Sequence, residues 1–471
     1  MITTLDHTIK ESIQHALEEA KQTNQSVIVS RVQEVDAIDP LHFFASGENL
    51  YLGERFFWST PTADMTMVGL GNELVIENEN QTFERFQKIE KEWKRFNKRV
   101  VTESQKQIGT GPLLFGGFSF DPKKEKGLLW EEFSEAKFVL PTILLTKFQN
   151  KAYLTINKVI TPLDQLDTCI KHFEQSLENE PPFIYQKDCE KGNEFASIEL
   201  KTAEWVEAIE KATADIRANE LDKVVLAREV HLEFMKKVNP YQVVGNLQKE
   251  QPTSFIFEFE NGLHHFIGAT PERLVKKHEN EVLSTCLAGS IKRGKTSDDD
   301  EMLGRQLLQD EKNLVEHAIV VKMIKDAFEE YCYEVKAPNE PALLKTKNIQ
   351  HLYTPVKGLA KQGHSLISMV EKLHPTPALG GYPKEKAIEK IRELEPMHRG
   401  WYAAPIGWFD HEDNGEFVVA IRSGLIKGNR AALFAGCGIV EESKPESEYY
   451  ETKIKLKPML SALGGADHEC N

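Results

Sequence analysis

The chain has no uninterrupted apolar stretch of the roughly 20 residues that a membrane-spanning helix requires, so no membrane span is expected. Its six cysteines, Cys169, Cys189, Cys286, Cys332, Cys437 and Cys470, are scattered, with no C-x-x-C and no matched histidine pair. That spacing argues against a zinc site and a disulfide framework and leaves reduced thiols. No basic stripe with interleaved aromatics offsets the formal charge of −15, which repels a phosphate backbone, and no nucleic-acid partner is expected. The nucleotide signatures G-x-G-x-x-G and G-x-x-x-x-G-K-[ST] are missing, as are low-complexity tracts and repeats with a period of about 20 to 50 residues. Residues 1–20 lack the apolar core and cleavage site of a signal peptide. They read as an amphipathic helix with Ile9, Ile13 and Leu17 on one stripe, and a cytoplasmic location is expected.

What is present is an ordinary soluble composition, 40% hydrophobic and 28% charged over 471 residues, enough chain for an extended enzyme core. Strands are predicted at 27–32, 56–58, 65–70, 113–120, 137–148 and 151–156, with a charged helix near 82–98. Between 178 and 198 the chain turns polar around Pro181-Pro182, the best linker candidate. Beyond it the pattern predicts a helix over 202–219 with Trp205, Ile209, Ala212 and Ile216 inward. Strands follow at 223–234, 254–260 and 264–269, then one long helix over 299–330. A hairpin, 417–426 and 430–440 about Lys427-Gly428-Asn429, closes the chain. Neighbouring strands with short turns and long helices outside favour α+β over a doubly wound sheet.

Several residues fit a purely structural role poorly. After Gly436-Cys437-Gly438, a short helix should carry Glu448, Glu451 and Lys455 on one side, with Ser443 as its cap, Pro445 in its first turn and Glu446 at capping-box spacing. That face could hold a hard cation and an anion; a solvated, salt-bridged helix face is the plain alternative. Glu316 heads an apolar stripe of Val320, Met323 and Ala327 beside a core stripe of Leu314, Ala318, Val321, Ile324 and Phe328. A carboxylate there is paired, metal-bound, protonated or snorkelling to water. With Glu448 and Glu451 it would make an oxygen-only set suited to Mg²⁺. Lys223 opens an apolar strand, where desolvation would make it a general base, or it is an edge gatekeeper. Glu272 follows a strand end at a Pro-constrained turn and could aim an acid into a cleft. His374 is held in His374-Pro375-Thr376-Pro377. Arg422 is a bidentate partner for a carboxylate or a surface ion pair, and the amides of Gly436 to Gly438 could approach the same anion.

These segments stand in one order: Lys223-Val-Val-Leu-Ala-Arg228, Gly268-Ala-Thr-Pro-Glu-Arg273, Leu287-Ala-Gly-Ser290 with Arg293-Gly294, Glu316-His317, His374-Pro-Thr-Pro377, Arg399-Gly-Trp-Tyr402, Arg422, and Gly436 through Thr452. Together they resemble the chorismate-utilising enzymes, which include isochorismate, salicylate, anthranilate and aminodeoxychorismate synthases. The resemblance covers about residues 200–460 and is loose before 190, chiefly at Phe115-Gly116-Gly117-Phe118. It implies two large, mainly antiparallel sheets packed as a sandwich with helices outside and a central cleft. Residues 1–190 would complete the sheets and 200–462 would form the catalytic region, in one intertwined domain.

The resemblance further implies Mg²⁺ held by Glu316 and Glu451, with Glu448 on metal-bound water. Some relatives have a further acid where this chain has Asn313. Arg422 and Lys455 would hold the other carboxylate region, His374 would face the ring, and Gly436, Gly438, Ala288, Gly289, Ser290 and Tyr402 would contact substrate. Ammonia-using members have Gln where this chain has Lys223, and covalent ones have lysine where it has Ala288. Water addition is therefore implied, with Lys223 as base and Glu272 as acid: an isochorismate synthase, its length fitting the menaquinone pathway. Salicylate synthase, a siderophore role and a non-catalytic chorismate-binding protein are the alternatives. A monomer without a glutamine amidotransferase subunit is expected.

Overall fold

Several strands are buried at every position, so both of their faces are covered. Along Arg55–Ser59, Phe56 and Trp58 enter the largest core, while Phe57 enters a second core capped by helices Pro40–Ser46, Pro240–Glu250 and Pro445–Ala462. The computed structural model describes residues 7–79, 84–103, 107–178, 193–347 and 349–464. Among these, hydrogen bonds join 21 strands into one sheet system, antiparallel except where Val27–Val35 runs parallel to Val100–Glu103. The α+β class with helices outside is as expected, but the two expected sheets are continuous. The ladder folds over itself, so that Phe56 stacks on Phe115 with centroids 4.3 Å apart although their strands are not neighbours. Early and late strands interleave: Arg55–Ser59 pairs with Phe255–Asn261, and Leu113–Phe118 with Pro405–Asp410. No helix among the described residues is long and apolar enough to cross a membrane.

The amphipathic N-terminal helix spans His7–Thr23 and buries Ile9, Ile13 and Leu17, as its stripe predicts. Helix Thr202–Arg217 likewise buries Trp205, Ile209, Ala212 and Ile216. Four expectations are corrected. The long helix is two, Ser297–Leu307 and Glu311–Tyr331, because Asp310 leaves the helix to accept the Asn313 N–H at 2.8 Å and caps a new start. The buried face of the second helix is His317, Val320, Ile324, Ala327 and Phe328, with Ala318 exposed and Leu314 and Val321 half-buried. The core stripe is thus turned toward Glu316. Strand 417–426 is interrupted between Gly415–Val419 and Ser423–Lys427, where other segments take the backbone: Ala403 N–H donates to Ala420 O and Ala269 N–H to Arg422 O, both at 3.0 Å. Of the linker, residues 179–192 lie outside the described residues, and Phe195–Glu199 is a strand paired with Lys223–Phe234.

One charged group is built into the folded sheet. Arg55 meets both oxygens of Glu260, at 2.9 Å (Nε) and 2.6 Å (Nη2), and His265 Nδ1 lies 2.8 Å from Glu258 and 3.2 Å from Glu260. The ligand atoms of Glu258, Glu260 and His265 lie within 4.8 Å of one another, a metal-like spacing, but Arg55 already neutralises Glu260. Burial opposes charge on His265, and the two carboxylates outweigh it, raising its pKa to about 9. A folded-state pKa above the unfolded value gives stability that is complete below about pH 6.5 and lost as pH rises through about 9. Urea unfolding should therefore show stability falling by on the order of 2–3 kcal/mol across that window. His265→Gln should remove most of that slope; an unchanged slope in the variant would show that His265 does not carry it.

Candidate active site

Strand Lys223–Phe234 and the Gly-rich strand Arg430–Ile439 pair so that Gly438 lies opposite Val225 and Gly436 opposite Ala227. A Cβ on Gly438 would stand 2.7 Å from Lys223 Cε, so the glycine is what lets the lysine side chain lie across the strand. Lys223 is 8% exposed, and its ammonium contacts Glu316 Oε1 of helix Glu311–Tyr331. Both line a cavity of about 310 Å³. Of the residues expected at the site, Glu272, Glu448, Glu451, Arg422, Lys455, Gly436, Gly438, Ala288, Gly289, Ser290 and Tyr402 also line it. Asn313 stands on the same wall and donates to Asp310 at 2.8 Å.

His374 does not join them. Its Nε2 lies 3.0 Å from the Phe120 carbonyl and its ring meets the Phe120 edge, so the two prolines frame a buried packing histidine and not a ring-facing one. The cavity histidine is His351, which sequence reasoning missed. It is 9% exposed, its Nε2 has no hydrogen-bond partner, and burial beside Arg422 and Lys455 pushes its pKa down to about 3. The only sequence signal was its place in an apolar strand, Ile349–Ala360. Arg399 was quoted only within a motif; it is buried and holds Glu395 while donating to the Val225 carbonyl at 2.7 Å and the Leu379 carbonyl at 2.9 Å. Glu395 in turn accepts the Ala227 N–H at 2.7 Å, so this pair fixes the strand that carries Lys223.

Glu272 is 6% exposed, and desolvation raises its pKa to about 7 against the pull of Lys455, Lys223 and Arg422. It is held by its backbone: its N–H donates to Thr270 Oγ1 at 3.2 Å and its carbonyl accepts the Val419 N–H at 3.0 Å. Arg422 sits at the strand interruption with φ +52, a left-handed conformation costly for a residue other than glycine, and its side chain lines the cavity. Burial lowers its pKa, partly offset by Tyr402, Glu451 and Glu272. Tyr402 stacks on Phe434 at 5.3 Å, and burial raises its phenol.

Helix Pro445–Ala462 is capped at Lys444, not Ser443. The Ser443 hydroxyl instead accepts the Val440 N–H at 3.1 Å and donates to Glu448 at 2.7 Å, which orients that carboxylate. Lys455 bonds Glu451 at 2.7 Å and the Gly436 carbonyl at 2.8 Å. Gly436 therefore offers its carbonyl to a lysine. Burial raises Glu448, with Glu451 as a further cause; burial also opposes ionisation of Glu451, but Lys455 outweighs it and the net shift is downward.

These carboxylates suit a hard divalent cation chemically. Glu448 and Glu451 are both partly buried and repel each other, a penalty that a cation relieves, and all donors are oxygens. They do not close on one another to within the 4.8 Å that Glu258, Glu260 and His265 reach, because Glu316 and Glu451 each hold a lysine.

A family model described as chorismate binding enzyme matches residues 15–464. The chain is 48% identical over 470 residues to isochorismate synthase MenF of Bacillus subtilis (strain 168), covering 99% of each. It is 32% identical over 466 residues to the salicylate biosynthesis isochorismate synthase of Pseudomonas aeruginosa, covering 98% of this chain and 96% of that one. The structure of MenF, the menaquinone-specific isochorismate synthase from Escherichia coli, matches with a TM-score of 0.77 at 24% identity, over 97% of this chain and 100% of that one, a likeness of fold. With a match running almost end to end, the expected resemblance is borne out: this chain belongs to the chorismate binding enzyme family.

Proposed function

We propose that this chain is an isochorismate synthase, an isomerase that converts chorismate to isochorismate, and that it serves menaquinone biosynthesis. The single observation that carries the reading is that the Lys223 amine lines one cavity with Arg422 and with Glu272, a carboxyl whose pKa burial raises to about 7. The near full-length 48% identity to a relative named for this activity supports it. Water adds at ring C2 as Lys223 takes its proton. The double bonds shift, and the C4 hydroxyl leaves as water with the proton of Glu272. One water enters and one leaves, so the reaction is an isomerisation. Arg422 and Lys455 offer cations to the substrate carboxylates. Glu316 and Glu451, with Glu448, would hold Mg²⁺, which when bound neutralises carboxylate charge.

The acid and base do their work through environment. A carboxyl with a pKa near 7 is still about half protonated at neutral pH and can donate, which an exposed glutamate cannot. Lys223 meets Glu316 at the cavity wall, and Gly438 and the Arg399–Glu395 pair keep the lysine aimed into the cavity.

Incubation of the purified chain with chorismate and Mg²⁺ should give isochorismate without pyruvate. Salicylate with pyruvate would instead assign the salicylate synthase reaction. Lys223→Met and Glu272→Gln should each lower turnover by about 100-fold or more while chorismate binding remains measurable. Because the acid form of Glu272 is needed, kcat/KM should fall as pH rises through about 7, and that limb should be missing from Glu272→Gln; a limb that survives the substitution removes Glu272 from the role. Lys223→Met should also bind Mn²⁺ about tenfold more tightly than the unsubstituted chain in titrations without substrate, since an ammonium no longer competes for Glu316. Equal or weaker binding would count against Glu316 as a ligand.

A further inference from the structure

The wall of the cavity formed by Leu287 to Ser290 is a bulge in strand Glu281–Lys292. Pairing with Ile349–Ala360 runs regularly to Leu287 opposite Tyr353 and resumes with Ser290 opposite His351, so three steps on one strand face two on the other. Gly289 takes φ +81 there, and a Cβ on it would stand 3.1 Å from Asn313 Oδ1. A bulge frees a backbone carbonyl from the ladder, and here the Ala288 carbonyl is taken by a side chain from another element. His317 Nδ1 lies 2.9 Å from it, and His317 Nε2 lies 2.8 Å from Thr354 Oγ1. The imidazole is 3% exposed and belongs to helix Glu311–Tyr331, one residue after Glu316.

We infer that His317 is a positioning residue for the reaction: its Nδ1–H fixes the cavity-lining bulge Leu287–Ser290 to the helix that presents Glu316. A carbonyl oxygen only accepts, so Nδ1 carries a proton, and the Thr354 hydroxyl, hydrogen-bonded to Nε2, fixes the other end of the ring. Cys286 packs against the same ring, with Sγ 3.4 Å from Nδ1 and 3.7 Å from the His317 carbonyl. Neither nitrogen is left to meet substrate, so the histidine acts through what it holds. Shifting the bulge moves Ala288, Gly289 and Ser290 relative to Glu316 across the same cavity.

This role rests on the isochorismate synthase reading, and the two fail differently. The side-chain amide of Asn mimics Nδ1 and that of Gln mimics Nε2, so the full-length enzyme with chorismate and Mg²⁺ separates a fixed donor from mere bulk. His317→Asn should keep kcat/KM within about threefold, while His317→Gln and His317→Leu should lose about 10- to 100-fold, mostly in kcat. Thr354→Val should cost several-fold in the unsubstituted chain and almost nothing on the His317→Asn background, where no Nε2 remains for the hydroxyl to hold. If the Leu variant does not fold, the Asn and Gln pair still decides. Equal losses for Asn and Gln at matched Tm, or losses that track Tm, would overturn the positioning role while leaving the activity of the unsubstituted chain intact. No isochorismate from the unsubstituted chain would overturn both.

Discussion

Two lysines held by two carboxylates around one cavity are the constraint on which the rest of the site depends. Lys223 contacts Glu316, and Lys455 bonds Glu451. The first pair joins a strand to a helix far along the chain, whereas the second lies within one turn of helix Pro445–Ala462. The pairing therefore holds the charged side chains of the site in place. Any ligand that engages a carboxylate releases an amine. Glu272 lies outside both pairs, with no partner of its own close enough to overcome burial, which is why its proton stays on to near pH 7.

The fold keeps this set in place with backbone devices more than with long side chains. Lys223 begins its strand, and Glu272 follows the end of another. Arg422 occupies a strand interruption in the left-handed region, and Gly438 clears the path of the Lys223 stem. Each device spends local regularity at the cavity and recovers it elsewhere, through the Arg399–Glu395 pair, the Ser443 hydroxyl and the His317 bridge. At this cleft the irregular backbone coincides with the charged side chains that line the cavity.

How much of this was legible follows from what a linear pattern can carry. Strand Lys223–Phe234 and the face of Glu448, Glu451 and Lys455 could be read from residue types and period, because both are local. The break at Asp310 was masked because helical periodicity runs through it, and only a cap geometry separates the two helices. The interruption before Arg422 was masked for a similar reason: Val-Val-Ala-Ile-Arg reads as strand, and tertiary backbone partners decide otherwise. The His374 and His351 positions show the limit most plainly. Two prolines drew attention to the first, but rigidity served packing on Phe120; the second sat unmarked in an apolar strand, and only the sheet pairing that sets it opposite Ser290 brings it to the cavity.

The buried group of Arg55, Glu258, Glu260 and His265 uses the same ingredients to opposite effect. There the guanidinium meets both oxygens of Glu260, the Gly53 N–H donates to it at 3.0 Å, and the partners face one another directly across paired strands. Charge is committed, so the network specifies how the early strand at 55–59 docks on 255–261 and has little left for a ligand. In the active cavity, Arg422 is aimed by a strained backbone, His351 Nε2 is without a partner, and Glu316 and Glu451 each rest on a flexible lysine. Commitment in one place and its absence in the other follow from geometry. A fork on a carboxylate closes the valences of both, whereas an ammonium on a four-carbon stem can leave without moving the sheet.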